Sequence, residues 1–198
     1  MRNTTSLLLT AAVCLSACTN GDSAQRSTES NAQELFWSSL QEICGLAFAG
    51  TVVESVPPDT SFAGKAMVMH VRSCDPEQIR IPFFVGDDRS RTWVLTKSPS
   101  GLRLKHDHRH EDGTEDAVTM YGGDTDEPGS AARQEFPADD HTAAIVPTAA
   151  TNVWTLEIYP DSSFAYDLRR GGSDRRFRVE FDLTQPIPEP PPPWGAES

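Results

Sequence analysis

The C-terminal third of the chain alternates apolar and polar residues with the period of a β-strand. Three such segments lie between Val153 and Leu183, separated by turn sequences at 160–163 and 171–174. In the last segment the apolar and charged residues occupy opposite faces: Phe177, Val179, Phe181 and Leu183 against Arg176, Arg178, Glu180 and Asp182. This pattern predicts an antiparallel meander with one face towards a core and the other towards solvent.

The first half of the chain contains further segments with the same period. We predict strands at 46–54, 65–73, 78–85, 92–96 and 101–110. Pro82 has no amide hydrogen, which favours a sheet edge or a bulge at that position. His70 alternates away from its apolar neighbours, which predicts a position on the surface.

Two helices are expected beside the strands. Leu35, Phe36, Leu40 and Ile43 recur at helical spacing, which predicts an amphipathic helix over 31–43. A short capping helix is predicted to start at Asp139 or Asp140 and to run to Val146, where Pro147 stops it. With about eight or nine antiparallel strands, the chain is predicted to be mainly β and to form a single barrel; a β-sandwich is the alternative.

Two resemblances bear on the fold. The order and number of strands resemble the calycin architecture of lipocalins and related ligand-binding barrels, which implies a barrel around an internal site. Residues 101–116 also resemble a group of uncharacterised bacterial secreted proteins. The second group implies no function.

The amino terminus has the pattern of an export signal. Arg2 precedes a short apolar run, and the tetrapeptide Leu15-Ser16-Ala17-Cys18 resembles the lipobox of bacterial lipoproteins. The resemblance implies that residues 1–17 are removed and that Cys18 is acylated. Thr19, a residue other than Asp, implies sorting to the outer membrane, facing the periplasm. The lipid on Cys18 would make the membrane a partner of this cell-envelope protein.

These features divide the chain into four parts. Residues 1–17 are predicted to be the signal peptide, and the polar segment 18–33 is predicted to be a flexible tether. Residues 34–184 form the antiparallel β domain, and 185–198 are a Pro-rich tail with polyproline II character.

The net charge limits the classes of binding partner, and the number of cysteines limits the possible disulfides. The formal net charge of −12 argues against binding to nucleic acid, which requires a surplus of Lys and Arg on one face. Once Cys14 leaves with the signal and Cys18 carries lipid, Cys44 and Cys74 remain. In an oxidising compartment they are expected to form a disulfide, with two free thiols as the alternative.

One candidate metal site lies on the predicted strand 101–110. Its even positions are Leu102, Leu104, His106, His108 and His110, and the Asp112-Gly113 turn follows. A simple hairpin across that turn pairs His110 with Glu115, Arg109 with Asp116, His108 with Ala117, His106 with Thr119, and Leu104 with Tyr121.

Same-face neighbours on a strand lie about 6.5–7 Å apart, so two adjacent imidazoles can share one divalent ion such as Zn²⁺. His141, Asp139 or Asp140 would supply a third ligand. The alternative is a solvated polar hairpin with cross-strand ion pairs and no metal. No other cofactor is indicated.

The candidate small-molecule site consists of aromatic residues. Tyr121, Trp154 and Tyr166 would line a pocket, with a place in the core as the alternative. We therefore predict a non-enzymatic, lipid-anchored envelope protein whose barrel binds a small molecule or a metal ion, or contacts another envelope protein. The alternatives are a hydrolase using the His106–His110 hairpin and a structural or assembly lipoprotein without a ligand. No strong catalytic motif decides between them.

Overall fold

A computed structural model describes residues 20–196, with side chains described from residue 31 onwards. The predicted signal peptide, the lipidation site Cys18 and the sorting residue Thr19 lie outside the described residues. The two α-helices are α1 (Asn20–Glu42) and α2 (Asp140–Ile145), and a short 3-10 helix spans Pro147–Ala149. The eleven strands are β1 (Ala47–Val56), β2 (Met67–His70), β3 (Ser73–Cys74), β4 (Gln78–Val85), β5 (Asp88–Ser98), β6 (Gly101–His108), β7 (Tyr121–Asp124), β8 (Arg133–Pro137), β9 (Asn152–Tyr159), β10 (Ser163–Arg170) and β11 (Arg176–Ile187).

All the strands belong to one antiparallel sheet that curves into a nearly closed barrel. The order is β7-β6-β5-β4-β2-β1-β11-β10-β9-β8, with β3 paired to β4. The mainly β prediction and the barrel are therefore confirmed at this level, and one continuous sheet replaces the alternative sandwich. The strand number is higher than the eight or nine predicted.

The barrel closes at a seam between its edge strands β7 and β8. The amide of Asp139 donates to the carbonyl of Gly122 at 3.0 Å. The hydroxyl of Thr142 on α2 accepts from the Gly122 amide at 2.7 Å and donates to its carbonyl at 2.8 Å. These bonds satisfy backbone groups of an edge strand that would otherwise remain open.

The seam also explains why β7 was not predicted. A Cβ atom on Gly123 would lie 1.7 Å from the carbonyl oxygen of Pro137, so the close approach of the two edges excludes any larger residue. Two adjacent glycines at Gly122 and Gly123 suggest a loop when only the sequence is considered. Their role as a contact surface appears only when β8 is placed beside them.

Helix α1 closes one end of the barrel. Phe36, Trp37 and Leu40 are at most 1% exposed and belong to the hydrophobic core. Because the chain passes directly from α1 into β1, the closed end contains the start of β1 and the end of β2. Cys44 and Cys74 are joined here, with sulfur atoms 2.03 Å apart, in agreement with the predicted disulfide.

The helix begins at Asn20, earlier than the predicted start at residue 31, and so overlaps the segment assigned to a flexible tether. Extension of a helix that is already packed costs little free energy, since each added residue gains a backbone hydrogen bond without a new nucleation step. Within residues 20–196, no helix is both long and apolar enough to cross a bilayer.

The Pro-rich tail lies against the outside of the barrel. Arg89 donates to the carbonyl of Pro192 at 2.9 Å, and the amide of Trp194 donates to the carbonyl of Arg89 at 3.1 Å. An ion pair between Arg72 and Glu189 at 3.6 Å adds a further contact. The tail therefore covers part of the outer face of the sheet.

His70 is only 2% exposed, so the prediction of a surface position for it was wrong. Alternation correctly directs its side chain away from the core face. The outer face at the end of β2 is not solvated, however. Arg72, which lies close to His70 in the chain, pairs with Glu189 of the tail. The tail therefore runs past this region of the outer face.

Candidate functional site

The end of the barrel opposite α1 contains a cavity of about 300 Å³. Antiparallel pairing brings the end of β6 and the start of β7 to this end, together with the β10–β11 turn. Residues at alternate positions on these strands point inwards, so the cavity wall consists of successive layers of side chains.

The inner layer is aromatic. Trp93 stacks on Phe83 with ring centroids 4.8 Å apart and on Tyr166 at 4.6 Å. The ring of Tyr121 stacks on His106 at 4.4 Å, and Trp154 lies 5.1 Å from the same imidazole. The three predicted binding residues, Tyr121, Trp154 and Tyr166, all line the cavity.

His106 is part of this wall and is 3% exposed. Its Nδ1–H donates to the carbonyl of Tyr121 at 3.1 Å, and its Nε2 accepts from the hydroxyl of Tyr166 at 2.9 Å. Burial lowers the pKa of His106 to about 3, so the ring is neutral at physiological pH. Both nitrogen atoms already have hydrogen-bond partners.

His108 lies one layer further out on the same face. The hydroxyl of Tyr121 lies 3.2 Å from its Nε2, within hydrogen-bond distance. Burial, and then the positive charge of Arg91, lower the pKa of His108, while burial raises the pKa of Tyr121 to about 12. Two neutral histidine–tyrosine pairs therefore hold the cavity wall.

The outer layer carries arginine side chains. Arg91, Arg170 and Arg175 line the cavity together with Asn152, and no carboxylate belongs to the described lining. We call these three residues the arginine rim. Arg170 donates through Nε to Oδ1 of Asn152 at 2.8 Å. Burial, and then the charge of Arg175, lower the pKa of Arg170.

The opposite face of β6 forms ion pairs on the outside of the barrel. Asp107 is 4% exposed and accepts from Arg80 at 2.6 Å and from Arg109 at 2.7 Å. Burial alone would raise the pKa of Asp107, but these two hydrogen bonds outweigh it and lower the pKa. Lys105 pairs with Asp139, which also N-caps α2 by accepting from the amide of Thr142. The two-faced pattern predicted for this strand is confirmed.

The pairing predicted across the Asp112-Gly113 turn was wrong in register. His106 pairs with Tyr121 rather than with Thr119, and Arg109 bridges to Glu115 rather than to Asp116. A second turn at 116–119 takes up the additional residues, and Met120 follows it with a φ of 59°. The shift of two residues brings Tyr121 onto the imidazole of His106.

The four histidines predicted as metal ligands do not come together. His106 and His108 share the cavity wall, whereas His110 and His141 are exposed and do not line it. Among the side chains of residues 31–196, no group of three His, Cys, Asp or Glu residues is arranged to hold a metal ion. Asp139 and Asp140 do not line the cavity either.

The arginine rim was not identified from the sequence, although the signal was present. Arg170 follows the inward residue Leu168 by two positions, and Arg175 precedes the inward residue Phe177 by two. The same alternation that predicted the meander therefore places both arginines on the inner face.

Comparison of the chain with known protein-family models, curated proteins and solved structures gives no significant match in any of the three.

Proposed function

We propose that this protein is a lipid-anchored envelope protein that binds a small, largely apolar molecule in the cavity of its barrel. The observation that carries this proposal is the cavity of about 300 Å³ lined with aromatic rings. Ligand sites are commonly apolar concavities of roughly 300–1,000 Å³ with a few convergent polar groups. Tyr121, Tyr166 and the two imidazoles of the wall provide such groups.

The cavity volume limits the size of the ligand. An apolar cavity of roughly 150 Å³ accepts one benzene molecule. A cavity of about twice that volume fits a compound of two fused rings or a chain of comparable volume.

The side chains around the cavity favour binding over the hydrolase alternative. The described lining includes no Ser, Thr, Cys, Asp or Glu side chain that would act as a nucleophile or an acid. His106, the more deeply buried of the two histidines in the wall, has both ring nitrogens in hydrogen bonds to the wall and has no nitrogen left to act as a base. The hydrogen bond between His106 and Tyr166 instead fixes the shape of the cavity wall.

A direct test is calorimetric titration with 2-naphthamide, a neutral two-ring compound. The mature protein would be held in phospholipid nanodiscs, with empty nanodiscs as the blank. At about 0.3 kcal/mol or more per non-hydrogen atom, the expected Kd is about 1 mM or tighter. Ala149→Trp fills the cavity and should raise that Kd by about tenfold or more.

The matched control is Ala150→Trp, since Ala150 is exposed and does not line the cavity. Val118→Trp, at an exposed position of the cavity mouth, provides a second obstruction with little risk to folding. Equal binding by all four proteins, or no binding by the unchanged protein, would contradict the proposal.

The anchor is tested separately. If Cys18 is acylated, Cys18→Ser should leave the protein unprocessed or release it from the membrane fraction. Mass spectrometry of the mature amino terminus provides the direct measurement. An unmodified Cys18, or a terminus at another residue, would remove the anchor from the proposal without affecting the cavity.

A further inference from the structure

We propose that the ligand is a small organic anion with an apolar body, whose carboxylate group binds at the arginine rim between Arg170 and Arg175. This inference rests on the proposed binding function and adds the chemical class of the ligand. The aromatic layer would hold the apolar body, and the two guanidinium groups would pair with the anionic group.

The first support is the position of the two arginines. Arg170 ends β10 and Arg175 precedes β11, and the amide of Arg170 donates to the carbonyl of Arg175 at 3.3 Å. They are therefore neighbours across the β10–β11 turn, with both side chains on the inner face of the barrel. Like charges opposite each other on adjacent strands destabilise a sheet.

The second support is the lack of compensating acid. Among the described residues Arg170 forms no ion pair, and its side chain bonds only to the neutral amide oxygen of Asn152. Asp59 lies 3.9 Å from Arg175, at the outer limit of an ion pair. Arg91 differs, since Asp88 pairs with it at 2.5 Å. Within the described part of the chain, Arg170 is therefore unpaired and Arg175 only loosely paired, so the positive charge of the rim that acids do not balance lies mainly at these two residues.

The third support is the contrast with the rest of the chain. The protein has 29 acidic residues against 17 basic ones, a formal net charge of −12. The cavity reverses this balance, because three arginines and no carboxylate line it. A positive, partly desolvated concavity in an acidic protein attracts anions and excludes cations.

The matched ligand pair for the test is 2-naphthoate and 2-naphthamide, which share their rings and their planar head and differ in charge. Calorimetry with the mature protein in phospholipid nanodiscs gives both Kd values. Charge-assisted hydrogen bonds should make 2-naphthoate bind about tenfold or more tightly than the amide. Decanoate and decanamide provide a second pair with a flexible body.

Either acid binding about tenfold more tightly than its amide supports the inference. The tighter acid then indicates whether the cavity selects fused rings or an acyl chain. Raising the salt concentration should weaken binding of the acid and leave binding of the amide unchanged.

Arg170→Gln and Arg175→Gln should each reduce the preference for the acid, and together they should bring the ratio of the two Kd values close to one. Binding of 2-naphthamide should not weaken. The control is Arg169→Gln, because Arg169 lies on the outer face and pairs with Glu135. For Arg169→Gln, the ratio of the Kd values of the amide and the acid should equal that of the unchanged protein.

Two results would overturn the inference. The first is equal binding of acid and amide by the unchanged protein, with both blocked by Ala149→Trp, which would leave the proposed binding function intact. The second is an equal loss from Arg169→Gln and Arg170→Gln, which would mean that only net charge matters. Binding of neither pair would instead contradict the proposed function and the inference together.

Discussion

The two ends of the barrel are formed by the same strands but are closed in different ways. At one end α1 inserts Phe36, Trp37 and Leu40, and the Cys44–Cys74 disulfide lies beside them. At the other end the inward positions change from aromatic to His and Arg side chains around a cavity. The first end is packed for stability, while the second keeps an unfilled volume and unmatched charge.

In this sheet, one end stabilises the fold and the other end forms the cavity. Filling a core contributes free energy to folding, whereas a void and like charges cost free energy. The dense, cross-linked end offsets the cost of the open end. Substitutions at the two ends should therefore have different consequences for stability.

The largest expected contrast comes from the same substitution at both ends. Leu40→Ala removes a fully buried side chain from a packed site and should lower the free energy of unfolding by about 3–5 kcal/mol. Leu168→Ala should cost less, about 2 kcal/mol, because Leu168 already borders the cavity. Urea unfolding measures both, and an equal or reversed order would refute the division between the ends.

Removal of the disulfide tests whether the packed end and the cavity end are independent. Cys44 and Cys74 are separated by 30 positions, so replacing both by Ser should cost about 3–4 kcal/mol in the chain-entropy model. Binding of 2-naphthamide at the opposite end should not change at temperatures where the variant stays folded. A loss of ligand affinity in the folded variant would mean that the two ends are coupled.

A smaller effect is expected at the cavity end, where His106 should make the free energy of unfolding depend on pH. The pKa of His106 is about 3 in the folded protein and about 6.5 ordinarily, since burial excludes the charged ring. Below pH 6.5 the unfolded chain binds a proton that the folded protein does not. The free energy of unfolding should therefore fall by up to about 1.4 kcal/mol per pH unit, or about 1.6 kcal/mol from pH 6.5 to 5, since the unfolded histidine is half protonated at pH 6.5.

His106→Asn should remove this part of the pH dependence, as measured by urea unfolding at both pH values. The exposed His110→Asn should keep it. If His106→Asn unfolds with the same pH dependence as the unchanged protein, His106 is not held neutral by the cavity wall.

Local patterns in the sequence were sufficient for several elements. The alternation around Phe177 and Phe181 located the C-terminal meander, and helical spacing around Phe36 and Leu40 located the packed part of α1. The even positions of β6 correctly placed His106 and His108 on one face. These features depend on the period of a strand or a helix, which a short stretch of sequence determines.

Contacts between distant segments decided the rest. Gly122 and Gly123 belong to a strand because β7 pairs with β6, and they are glycines because the edge of β8 approaches so closely. The second turn at 116–119 brought Tyr121 to His106. The sequence alone determined which side chains point inwards. Tertiary structure decided that Arg170, Arg175 and the aromatic rings meet around one cavity, because only closure of the sheet brings the ends of its strands together.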